Sequence, residues 1–457
     1  MEMEASSADD GGPPGADSRY GYTPAYELFN LIPRDLSSEN TTVLYFSPIS
    51  QLRHDAPIEF NIGANSQRYI DLKNIKLYLK VKLVKSDGGN ISDDDKVTFS
   101  NYPICSLFQQ VDLYLQQQLV CSSGTGYAYR GMLDVLLEND RDDMTGILRQ
   151  GLYFRESSGS MDSTELIVSN NQSVNAGFVE RKAFTKGSTT VELQGKLHAD
   201  LCRQERVLLN AVQVTFKLTQ SREPFRIMRP APSEGDTAQE YKVQILNATL
   251  KVPMIKPTPA MLLGISSGLK ISPALYPFER TEIKTVSIPS GQGSWAVDNL
   301  FLSRIPKRLV VAMVSESAYT GTYSKNPFNF TNFKLTYMCL TIDGSCVPSR
   351  AIQMDFDKDI YLDAYYTLFS IAQDEIAGKP RKTSTITREE YPKGHMCICF
   401  NIDGSSYGDE YINPQTFGLS KMELKFAENL KENVTLIMYA VYNSLLRIDE
   451  ARNVKID

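Results

Sequence analysis

The stretch Ile75-Lys76-Leu77-Tyr78-Leu79-Lys80-Val81-Lys82-Leu83 alternates apolar and polar residues almost without a break. Successive side chains of a strand point to opposite faces, so the pattern predicts a β-strand with one face buried and the other wet. Lys76, Lys80 and Lys82 could instead form a local basic face for nucleic acid, but the solvated side of a strand accounts for them more simply. The strand ends at Ser86-Asp87-Gly88-Gly89, a turn cluster.

Strand signals dominate outward from there. They include Val111–Leu115, Ala211–Leu218 and Leu309–Val314, and also Val434–Val441, which reads as buried on both faces. The 24 Tyr and 20 Phe, with one Trp, tilt the same way, since aromatic residues favour strands. Helical stripes are few: Tyr129, Met132, Leu133, Leu136 and Leu137 form one, and Tyr365, Leu368, Phe369 and Ala372 another. The alternating strand–helix rhythm of a parallel α/β protein is missing.

The signals recur in order. A long strand lies at Ile75 and again at Leu309, 234 residues on. A strand running into a turn lies at Val111 and Leu335, 224 apart, and an amphipathic helix at Tyr129 and Tyr365, 236 apart. A closing apolar strand is expected at Val207 and Val434, 227 apart. Two similar β-units of about 200 residues suit two sandwiches or jelly rolls. Arg229-Pro230-Ala231-Pro232-Ser233-Glu234-Gly235-Asp236 reads as the linker between them. The expected division is a disordered N-terminal arm (1–24), a first unit (25–228), a linker (229–240) and a second unit (241–457). The arm is acidic and rich in Gly, Pro and Ser, and it lacks the features of a secretory signal.

The net charge is −6, with 42% hydrophobic and 22% charged residues. A mildly acidic chain has no electrostatic basis for coating nucleic acid as a whole. No apolar run approaches the ~20 residues of a membrane-spanning helix. Seven scattered cysteines fit reduced thiols better than a disulfide framework, and the six Asn-x-Ser/Thr sequons, such as Asn247-Ala248-Thr249, are then expected to stay unglycosylated.

Motifs that could carry chemistry lack their contexts. Gly264-Ile265-Ser266-Ser267-Gly268 and Gly404-Ser405-Ser406-Tyr407-Gly408 match GxSxG, but a nucleophile elbow needs a strand before the Ser, a helix after it, and later Asp and His. Ser406 has no later His, and Ser266, flanked by Pro257, Pro259 and Pro273, has only His395, so both are expected in loops. His395, Cys397 and Cys399 would share one face of a strand, yet a fourth zinc ligand is missing and a core strand is the expectation. Asp355-Phe356-Asp357-Lys358-Asp359 begins like a calcium loop, but Ile360 stands where Gly is required and Tyr366 where the bidentate Glu belongs, so it reads as a solvated turn. Gly124-Thr125-Gly126 lacks the Lys-Ser/Thr ending of a phosphate loop. No catalytic, cofactor or metal site is therefore expected, and the chain is not expected to be an enzyme.

Pro57-Ile58-Glu59-Phe60-Asn61-Ile62-Gly63, running through Tyr69-Ile70-Asp71-Leu72, resembles the start of major capsid proteins of Polinton/Maverick elements and adintoviruses. Gly195-Lys196-Leu197-His198-Ala199-Asp200-Leu201, Leu208-Leu209-Asn210, Tyr276-Pro277-Phe278-Glu279-Arg280 and Asn326-Pro327-Phe328-Asn329-Phe330 resemble the same family, while the last ~110 residues carry no such block. The resemblance implies an all-β double jelly roll: two eight-stranded antiparallel sandwiches side by side, each with a short helix. It also implies a homotrimer of pseudo-hexagonal outline that tiles an icosahedral shell around double-stranded DNA in the virion of a DNA virus. The implied partners are neighbouring capsomers and penton and minor capsid proteins, assembled inside the host cell. Two other readings remain. A minor or vertex (penton) capsid protein would have one jelly roll and form a pentamer. A glycan-binding sandwich would offer aromatic platforms, for which Trp295 is thin support.

Overall fold

The computed structural model describes residues 37–167, 173–232, 239–370, 384–402 and 415–457. The expected arm (1–24), the motif around Ser406 and residues 233–238 of the expected linker lie outside the described residues.

The first unit has eight main strands: β1 (Ser38–Phe46), β2 (Ile58–Ile62), β3 (Lys76–Lys85), β4 (Phe108–Leu115), β5 (Gln118–Ser122), β6 (Val191–Lys196), β7 (Val214–Gln220) and β8 (Tyr241–Pro257). They form two antiparallel sheets, in the orders β1-β8-β3-β6 and β2-β7-β4-β5. The second unit has β9 (Ala274–Ile288), β10 (Ser294–Asp298), β11 (Arg308–Ser315), β12 (Leu335–Ile342), β13 (Ser345–Gln353), β14 (Cys397–Asn401), β15 (Ser420–Phe426) and β16 (Val434–Ile448). Its sheets run β9-β16-β11-β14 and β10-β15-β12-β13. Adding eight to every label of the first unit gives the second, so the chain is a double jelly roll built on one topology used twice.

The helices respect the repeat. Helices α1 (Tyr127–Glu138) and α2 (Ala176–Thr185) lie between β5 and β6, α3 (Pro259–Leu269) lies between the units, and α4 (Leu362–Ser370) lies between β13 and β14. Helices α1 and α4 thus occupy equivalent places; α1 carries the whole first stripe and α4 carries Tyr365, Leu368 and Phe369 of the second, whose Ala372 lies outside the described residues. None of the described helices is long and apolar enough to cross a membrane.

The alternation that predicted β3 holds. Leu77, Leu79, Val81 and Leu83 face inward, while Lys76, Lys80 and Lys82 are half-exposed on the other side. Opposite them across the first sandwich lie fully buried residues such as Phe60, Leu113 and Phe216. Burying each such side chain contributes about 1.5–3 kcal/mol. In β16 every residue from Val434 to Tyr442 is buried, as its continuous apolar run predicts.

Three expectations need correction. The expected boundary at 229–240 does not separate the units, because β8 pairs with β1 and β3 along almost its whole length. Arg229–Pro232 begins a loop inside the first jelly roll, and the chain crosses to the second through Thr258–Pro273. Val207 does not start the closing strand; that region is irregular, Ala211 has φ 58°, and β7 begins only at Val214. The equivalent of β16 is β8. Finally, Gly264–Gly268 is helical rather than a loop: Pro259 sits in the first turn of α3, where its missing N–H costs no hydrogen bond.

Candidate functional site

The two units meet across α1, and the meeting surface is polar at its centre. Ten of the twelve residues of α1 are buried, among them Arg130 and Asp134. Arg130 reaches Asp200 at 2.6 Å, and both are 1% exposed. Asp200 accepts the backbone N–H of Thr281, on β9 of the second unit, at 3.1 Å. Asp134 meets Nδ1 of His198 at 2.8 Å and Nη1 of Arg203 at 3.4 Å, and it accepts the hydroxyl of Tyr439, on β16, at 2.9 Å. Arg203 donates to the same hydroxyl at 3.2 Å and pairs with Glu138.

Burial alone would raise the Asp134 pKa, but Arg203 and His198 overcome it and hold the carboxyl well below its ordinary range. Burial likewise works against a charged His198, yet Cys105 and Asp134 push its pKa up to about 10. Burial raises Asp200 while Arg130 pulls the other way, and Asp200 and Asp134 keep the Arg130 guanidinium firmly charged. A buried ion pair adds little over apolar packing, but removing one member strands its partner at a cost of about 3–5 kcal/mol.

An aromatic cluster flanks the charges. Tyr129 of α1 stacks on Tyr319 with centroids 5.6 Å apart and meets Phe225 and Phe328 edge-on. Close approach also depends on Gly126: a Cβ there would lie 2.5 Å from Cγ2 of Ile283 on β9. Elsewhere Arg155 pairs with Glu390 and donates to the Thr385 carbonyl at 2.9 Å, Asp162 accepts from the Asn326 N–H at 2.7 Å, and Arg452 donates to both oxygens of Asn210 at 2.8 and 2.9 Å. These contacts fasten the units along the length of the junction.

The candidates named from sequence are scattered. Ser266 lines a shallow pocket beneath α3 with Tyr69, Asn210, Leu262 and Arg452, a lining that supplies no imidazole or carboxylate. His395 is 5% exposed in the other unit, with Nδ1 3.4 Å from Ser158 Oγ, and burial drops its pKa to about 4. Cys397 and Cys399 lie in the interior on β14, with burial pushing the Cys399 thiol up. Among the described residues no group of three or more His, Cys, Asp or Glu could hold a metal ion. Asp355 caps a short turn, accepting from the Lys358 backbone at 3.2 Å and pairing with its ammonium at 2.7 Å.

One constellation escaped the sequence reading. Cys105, His198 and Asp134 have the nucleophile, base and acid types of a thiol hydrolase, with Asp134 on the Nδ1 side of the ring. Cys105 is 1% exposed, and a Cβ on Gly131 would lie 2.7 Å from its sulfur. No substrate has room there, and the histidine instead serves the junction. The signal that could have found the junction was present: His198 and Asp200, Glu279 and Arg280, and Asn326, Phe328 and Asn329 all lie in the blocks that resemble the capsid family.

No protein-family model matches the chain. It is similar to an uncharacterized protein of Caenorhabditis elegans, 22% identical over 416 residues, which cover 88% of this chain and 94% of that protein. Among solved structures it is similar to a chain of the Sputnik virophage, with TM-score 0.62 and 13% identity over 96% of this chain and 92% of that one. It is also similar to the Faustovirus major capsid protein, with TM-score 0.54 and 10% identity over 94% of this chain and 93% of that one. The mavirus major capsid protein matches with TM-score 0.50 and 11% identity over 98% of this chain and 96% of that one. At such identities these likenesses establish a shared fold, the double jelly roll of major capsid proteins of DNA viruses and virophages.

Proposed function

We propose that this chain is a major capsid protein whose homotrimers form pseudo-hexagonal capsomers of an icosahedral shell around double-stranded DNA. The observation that carries the reading is a single jelly roll built twice in one chain, with the copies fastened rigidly side by side. Three such chains supply six similar blocks, and a ring closes when each copy offers one patch and receives another. A vertex protein of one jelly roll does not fit this duplication.

The junction inside the chain suggests how the ring would close. There β9 of the second unit packs beside α1 of the first, against Gly126 at its start and against Asp200, which Arg130 of α1 holds. Among the described residues the equivalent helix α4 packs on β14 and β13 of its own unit, and its Leu362 and Tyr366, with Ile360 just before it, are 57–61% exposed. The strand equivalent to β9 is β1, an outer strand of its sheet, with Val43 and Tyr45 exposed. In a trimer, β1 of one copy would pack beside α4 of the next, as β9 packs beside α1 within the chain, and its outer strand edge would be shielded. A permanent contact of this kind should bury over ~2,000 Å².

The Polinton/Maverick or adintovirus assignment rests on the sequence blocks, and a nematode relative of similar length fits a capsid gene carried in an animal genome. The acidic net charge fits a shell that encloses DNA without gripping it, assembled in the host cell with penton and minor capsid proteins. Native mass measurement and electron microscopy of the purified protein test the reading. A trimer of hexagonal outline is expected; a stable monomer or a pentamer at micromolar concentration overturns it.

A further inference from the structure

Cys339 and Cys346 flank the turn of the β12–β13 hairpin, where Asp343 and Gly344 both take positive φ. Cys346 stands opposite Thr341, and Cys339, two residues before Thr341, shares its face. The register breaks beside this pair. Leu340 faces Val347 but Met338 faces Ile352, so β13 carries three extra residues between rungs. The two sulfurs lie 2.6 Å apart. Cys339 is nearly buried and Cys346 is half-exposed on an outer strand, whereas the other five cysteines are buried elsewhere.

We propose that Cys339 and Cys346 form a reversible disulfide that fixes the outer hairpin of the second jelly roll when its surroundings become oxidising. The oxidant is a low-molecular-weight disulfide such as glutathione disulfide. The Cys346 thiolate attacks one glutathione sulfur, forming a mixed disulfide and releasing one glutathione as a thiolate that takes up a proton. Cys339 then loses its proton, attacks the Cys346 sulfur and displaces the second glutathione. The protein loses two hydrogens, and one glutathione disulfide becomes two glutathione molecules. The bond would span the place where the hydrogen-bond ladder between β12 and β13 is interrupted, so the free edge of the sheet gains a covalent rung. Burial and the neighbouring Cys339 push the Cys346 thiol up to about 11, so exchange should be slow near neutrality and speed up as pH rises. This inference does not depend on the capsid reading, since it concerns the hairpin alone.

The test treats the purified full-length protein with glutathione disulfide, then alkylates it under native conditions and maps the peptides by mass. The expected result is loss of two hydrogen masses, protection of both Cys339 and Cys346, restoration by dithiothreitol, and slower amide exchange over 343–350 in the oxidised form. Cys346→Ser should abolish the mass loss. The proposal is overturned if Cys346 stops at the glutathione adduct, if both thiols stay open to alkylation, or if the crosslink joins a different pair.

Discussion

The hydroxyl of Tyr439, on the last long strand of the second unit, donates a 2.9 Å hydrogen bond to Oδ1 of Asp134, on the helix of the first. The two residues are 305 positions apart in the chain, and both are buried. Removing the hydroxyl in Tyr439→Phe should cost about 1.5–3 kcal/mol, the range for a hydrogen bond to a charged group. Asp134→Leu should cost more, about 3–5 kcal/mol, because Arg203 and His198 lose their counter-charge. Urea unfolding midpoints give the order; equal effects would mean the carboxylate is not the hub of the network.

Two histidines should shape stability against pH in opposite directions. His198, raised from 6.5 to about 10, contributes stability that is fully present below about 6.5 and is lost as pH climbs toward 10. His395, lowered from 6.5 to about 4, stays neutral in the fold while the unfolded chain takes up a proton, so stability falls as pH drops from 6.5 toward 4. Each limb should approach roughly 1.4 kcal/mol per pH unit at most. His198→Gln should flatten the alkaline limb and His395→Gln the acid limb. Thermal melts across pH check both, and a variant that leaves its limb unchanged refutes the assignment.

Gly126→Ala should destabilise by about 1–3 kcal/mol, because its new methyl group meets Ile283. The double variant Gly126→Ala with Ile283→Ala should recover part of that loss. A purely additive double-mutant cycle would show that the two positions do not touch.

If trimers close as proposed, Tyr366→Lys or the pair Val43→Lys and Tyr45→Lys should yield folded monomers. Circular dichroism should be unchanged and native mass should fall to one third. Trimers that persist in both variants would place the contact elsewhere.

Much of this fold was legible because long strands with one wet face write their period into the chain. Leu77, Leu79, Val81 and Leu83 did so, and the paired helices at Tyr129 and Tyr365 marked the duplication. Strand β8 was hidden for physical reasons. A register shift between Ile245 and Asn247 interrupts its alternation, and Pro253 and Pro257 argue against a strand inside a sheet. Here β8 nonetheless lies between β1 and β3, with Pro253 opposite Val43. The junction was less legible still. A buried pair such as Arg130 and Asp200 leaves no local pattern, and only the resemblance blocks pointed to it. Cys339 and Cys346 looked scattered because the hairpin that joins them emerges only once the strands pair.

The last strand of each jelly roll inserts between strands made earlier: β8 enters between β1 and β3, and β16 between β9 and β11. During synthesis neither sandwich can finish its inner sheet until its last main strand has left the ribosome, and for the second unit that strand ends at Ile448. A chain that stops before Val434 would leave a gap in the middle of a sheet rather than a frayed end. It would also remove Tyr439 from the junction. Chains terminated before Ile448 should therefore fail to fold.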